Sequence, residues 1–124
     1  MKVSSEYFDE VFQFKGQWDM PSSCGLKIRK TDGVTYIIVT ELYQDNPGTS
    51  VTYAGKSLAM QICEAKGLDL TQCRYVECTP NTNSKLSFYD EEFFLVDFDR
   101  DESDRYRRLS QEEVNKMLNA KDCQ

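Results

Sequence analysis

The sequence predicts an α+β fold: a single-domain, two-layer sandwich with helices laid on a largely antiparallel sheet, in the order β-β-β-α-β-β-α. Three observations predict it. Short runs rich in β-branched and aromatic residues recur along the chain, and Asp32-Gly33 joins one pair of them. One long stretch, from Val51 to Ala65, changes to a 3.6-residue period instead. The chain has 124 residues, the size of one domain and enough to bury a core without disulfides or metals.

Taken in order, the first stretch is ambiguous. Phe8, Glu10, Phe12 and Phe14 alternate as in a strand, while Tyr7, Phe8, Val11 and Phe12 suit a helical turn. Leu26 and Ile28 then alternate with Lys27 and Arg29 up to Thr31, and the run Val34 to Leu42 follows. Asp-Gly between two such runs marks a tight hairpin, because both central positions need positive φ. A loop from Tyr43 to Gly48 leads into a helix whose apolar stripe is Val51, Ala54, Gly55, Leu58, Ala59, Ile62 and Ala65. Thr49 or Ser50 is the expected cap, and Gly67 the left-handed end. Cys73–Cys78 and Glu92–Phe98 read as strands. The second is apolar on both sides, with Phe93 and Leu95 against Phe94 and Val96, so it belongs inside the sheet. A closing helix is announced by a capping box, Ser110 with Glu113, and a hydrophobic staple, Leu109 with Val114. Val114, Met117 and Leu118 form its packing stripe.

Charge narrows the function. There are 15 Lys plus Arg against 21 Asp plus Glu, a net charge of −6, and no histidine. An acidic chain does not neutralise phosphates, so direct binding to nucleic acid or anionic lipid is not expected. The lack of histidine removes Ser-His and Cys-His catalysis and His-metal sites together. Met1 to Glu10 shows no apolar leader, and the longest apolar runs, Ile37-Ile38-Val39 and Phe93-Phe94-Leu95-Val96, fall far short of the roughly 20 residues of a membrane span. The cysteines Cys24, Cys63, Cys73, Cys78 and Cys123 are odd in number and contain no C-x-x-C. The expectation is reduced thiols in a cytoplasmic protein, without zinc. Cys73 and Cys78 lie an odd number of positions apart on a predicted strand, which sends their sulfurs to opposite faces.

Three motifs bear on chemistry. The string from Gly48 to Gly55-Lys56-Ser57 resembles a phosphate loop placed between strand and helix. It fails as one, because the position that needs the first glycine is Ser50, and Gly55 belongs to the stripe of a helix already under way. A helix N-terminus still attracts anions, which nominates Gly48, Thr49, Ser50 and Thr52 for a small anionic ligand, with Lys56 as the cation. The acidic run Asp97, Asp99, Asp101, Glu102 and Asp104 imitates a calcium loop. It has Glu102 where glycine is needed and Arg108 where the closing glutamate should be. Asp97 and Asp99 with Glu41 or Glu77 would suit Mg²⁺ or Mn²⁺, whereas the same carboxylates would equally pair with Arg100, Arg105, Arg107 and Arg108 at a solvated strand exit. The third motif is a surface. Tyr53 and Met60 lie two turns apart opposite the helix's apolar stripe, a pattern found at contacts with a protein partner or a second copy of the chain. Phe88 and Tyr89 form another candidate contact in a polar stretch.

Together these features describe a small acidic cytoplasmic binding or regulatory protein without catalysis and without cofactor. It would engage a protein partner or a small anionic ligand, as would suit an inhibitor or a counter-defence protein of a mobile element. The alternative is a metal-assisted hydrolase using Asp97 and Asp99.

Overall fold

A hairpin turn and one helical crossover organise the sheet. The computed structural model describes residues 9–16, 19, 21–41, 49–79, 92–101, 104–119 and 121–122. Its elements are β1 (Glu10–Lys15), β2 (Pro21–Thr31), β3 (Val34–Glu41), α1 (Thr49–Lys66), β4 (Cys73–Thr79), β5 (Glu92–Val96), β6 (Tyr106–Arg108), α2 (Gln111–Leu118) and β7 (Lys121–Asp122), with a 3-10 turn at Leu70–Gln72. Asp32 and Gly33 close the β2–β3 hairpin with φ of 52° and 78°, as a type I′ turn requires.

Among the described residues the strands lie side by side in the order β1-β2-β3-β4-β5-β6, and β7 pairs β2 beyond the end of β1. Every pair is antiparallel except β3–β4. A parallel pair needs a long crossover, and α1 supplies it. The α+β class and the predicted element order are therefore present. The short strands β6 and β7 are additions too brief to carry a period-2 signature.

Residues 10–15 are a strand, because pairing with β2 sets Phe12 opposite Cys24 and Phe14 opposite Ser22, both on the α1 side. α1 clamps this edge strand. Gln61 accepts from the Lys15 N–H and donates to its carbonyl, each at 2.9 Å, where the strand partner is Pro21, which has no N–H to give. Lys66 holds Glu10 at 2.6 Å toward the other end.

Alternation divides the core. Cys24, Leu26, Ile37, Val39, Tyr75 and Val96 pack beneath Leu58, Ala59, Ile62 and Cys63 of α1. Ile38, Val76, Cys78 and Phe93 pack on the reverse face beneath Leu109, Val114 and Met117. The two-layer body is the sheet with α1, and α2 adds a partial third layer behind it. Cys73 packs against the first cluster and Cys78 belongs to the second, on opposite faces as strand alternation requires.

The element ends follow local chemistry. α1 starts at Thr49, so Thr49 and Ser50 stand in its first turn and not at its cap; the position before them, Gly48, lies outside the described residues. At its far end Gly67 has φ 68° and the Leu68 N–H donates to the Cys63 carbonyl at 2.8 Å, a Schellman closure. β5 stops at Val96, two residues before the predicted end. There the Asp97 carboxylate accepts from the Asp99 N–H at 3.0 Å and turns the chain off the sheet. The Ser110–Glu113 capping box is present as predicted and opens α2.

Candidate functional site

Strand register assembles a basic pocket from residues that are far apart in sequence. The parallel β3–β4 pairing sets Tyr36 beside Arg74, and the β5–β6 pairing sets Leu95 beside Arg107. All four lie on the face that α2 covers, and α2 contributes Glu113, Lys116 and Met117. With Thr31 and Leu109 these side chains enclose a pocket of about 160 Å³. That is room for roughly five waters, or for one small charged group.

Three cations converge there in a chain of net charge −6. Two are balanced. Arg107 donates both terminal nitrogens to Glu113, at 3.3 and 3.2 Å, and Lys116 meets Asp32 of the hairpin turn at 2.7 Å. The N–H of Ser110, and then Arg107, hold the Glu113 carboxyl down at about 2, so it stays ionised and keeps Arg107 neutralised. Arg29, on the neighbouring strand, is likewise matched, giving two bonds to Asp9 at 2.7 and 3.2 Å. These bonds hold the Asp9 carboxyl below its ordinary range. Arg74 differs. Its guanidinium lies over the Tyr36 ring, 5.9 Å from the centroid, and among the described residues it has no carboxylate partner.

A second, larger concavity of about 490 Å³ opens on the α1 side, where β4 begins and β5 ends. Its floor is apolar, formed by Leu70, Tyr75, Val96 and Phe98, and the rings of Tyr75 and Phe98 lie 5.3 Å apart at 45°. Lys56, Asp97 and Asp99 line it, so three residues nominated from the sequence do meet. Arg74 and Leu95 line both concavities.

Of the carboxylates there, Asp97 is engaged in structure. Besides capping the turn, Asp97 pairs with Arg100 at 3.2 Å. Glu77 is buried in register with Phe94, three residues before Asp97, which is about 10 Å along a strand. No group of three metal-ligating side chains occurs among the described residues, and the Glu41 side chain lies outside them.

The remaining nominated residues are dispersed. Thr49, Ser50, Thr52 and Tyr53 belong to the first two turns of α1, and their side chains lie outside the described residues, as do Gly48, Phe88 and Tyr89. Met60 is 56% exposed on α1. Sequence reasoning missed Thr31, Tyr36, Arg74 and Lys116 and read Arg107 as a counter-ion of the acidic run. One sign was legible: Arg74 shares a strand face with the apolar Val76 and Cys78, which places a cation at a core edge. Comparison with protein-family models, with curated proteins and with solved structures finds no match.

Proposed function

We propose that this is a small acidic binding protein without catalysis, acting in the cytoplasm, whose ligand presents a small anionic group (phosphate, sulfate or carboxylate) to the pocket beneath α2. The observation that carries this reading is the convergence of Arg74, Arg107 and Lys116 in one small cavity, with Arg74 unmatched by a carboxylate among the described residues. Arginine suits the task, because its planar fork meets two oxygens at once and the Tyr36 ring holds it in place. The ligand reading made at the entrance of α1 thus moves to the opposite face of the sheet. A helix N-terminus offers only partial charge, whereas the pocket offers whole charges in a partly enclosed space.

Thermal unfolding with inorganic phosphate, against chloride at matched ionic strength, tests it. A ligand at one hundred times its Kd stabilises the folded state by about 2.7 kcal/mol, so the midpoint should rise with phosphate. Arg74→Met should remove the rise without breaking an ion pair among the described residues. An equal response of the two proteins, or none in either, would overturn the reading.

A further inference from the structure

We infer that Cys63 and Cys73 are a peroxide-sensitive pair that closes into an intramolecular disulfide. Cys63 lies in the last turn of α1 and Cys73 opens β4, separated only by the Gly67 reversal and the 3-10 turn. That short return brings the two thiols into hydrogen-bonding reach of each other against one buried cluster. Their exposures are complementary. Cys24, Cys63 and Cys78 are buried, and among the described thiols Cys73 alone is partly open, on the wall of the larger cleft. An oxidant arriving through the cleft therefore meets Cys73 first.

The chemistry balances with a hydroperoxide as the named oxidant. The Cys73 sulfur attacks one peroxide oxygen, the O–O bond breaks, and Cys73 becomes a sulfenic acid as one water leaves. The Cys63 sulfur then attacks the Cys73 sulfur. The S–S bond forms, the S–O bond breaks, and the departing hydroxide takes the Cys63 proton as a second water. Two thiols and one hydrogen peroxide thus give one disulfide and two waters. Burial, and then the neighbouring Cys73, push the Cys63 thiol up to about 11. Cys63 is consequently not the thiol that meets the oxidant; its place beside Cys73, and not its acidity, makes it the resolving partner.

Tryptic mapping without reductant, after treatment with one equivalent of hydrogen peroxide and alkylation of the remaining thiols, tests the pair. Cleavage after Lys56, Lys66 and Arg74 leaves Cys63 in peptide 57–66 and Cys73 in peptide 67–74. The expected product is these two peptides joined, lighter by two hydrogens and separated again by dithiothreitol. The oxidised protein should also melt several degrees higher than the reduced one. Cys78→Ser should leave the bridge intact, and Cys73→Ser should leave Cys63 open to alkylation after unfolding. Three results would overturn the inference: Cys73 passing to sulfinic acid unjoined, a bridge to Cys24, Cys78 or Cys123 instead, or all thiols surviving peroxide that oxidises an exposed cysteine in a control peptide.

Discussion

Tyr75 carries its hydroxyl beneath α1, where it is buried and has no hydrogen-bond partner among the described residues. Burial, and next the charge of Glu77, push its phenol well above the usual range, so it stays protonated. A buried hydroxyl left unbonded costs about 1–3 kcal/mol relative to a bonded one. Tyr75→Phe should therefore be neutral or stabilising by about 1 kcal/mol in urea unfolding, and a clear loss of stability would show that the hydroxyl makes a bond. Glu113 offers a pH test. Its folded carboxyl titrates at about 2 against an ordinary 4.5, so the unfolded chain takes up the proton first. Its contribution is fully present above pH 4.5 and is lost as pH falls toward 2. Glu113→Gln should flatten the acid limb of the stability profile over that window, and an unchanged limb would sink the assignment. Of these residues, Glu113 was legible because a capping box is purely local. Tyr75 was not, because its burial depends on α1 covering the sheet.

At the scale of elements, β1 is the informative case. Its sequence fits strand and helix alike, and what decides is contact with β2 on one side and α1 above. Gln61 acts at this junction, its side-chain amide standing in for a strand partner at Lys15. Gln61→Ala should cost about 1 kcal/mol and speed amide exchange in β1 while leaving β3 protected. Uniform exchange across both strands would argue against a local clamp. The hairpin and α2 needed no such help. Asp32-Gly33 and Ser110 to Glu113 act within a few residues, so the chain states them locally. The β5 end at Val96 depends on Asp97 capping its own turn, a use that alternation alone does not reveal.

For the whole molecule, β3, β4 and β5 are shared by both cores: Ile37, Val39, Tyr75 and Val96 face α1 while Ile38, Val76, Cys78 and Phe93 face α2. The proposed anion pocket lies in the thinner of these two cores. Met117 is buried there beneath α2 and also lines the pocket. Met117→Ala should destabilise by about 2–5 kcal/mol and weaken the phosphate response along with it. A variant that loses stability but keeps the full response would place the anion elsewhere.

The α+β class, the element order, the hairpin turn, the boxed start of α2 and the division of Cys73 from Cys78 are all written in local pattern. Each rests on spacing or on interactions within one turn of chain. Long-range packing is what makes β1 a strand, sets α1 and α2 on opposite faces, and brings Arg74 to Arg107 and Lys116. A parallel pairing bridged by α1 brings Tyr36 to Arg74, and no local period records which strands become neighbours.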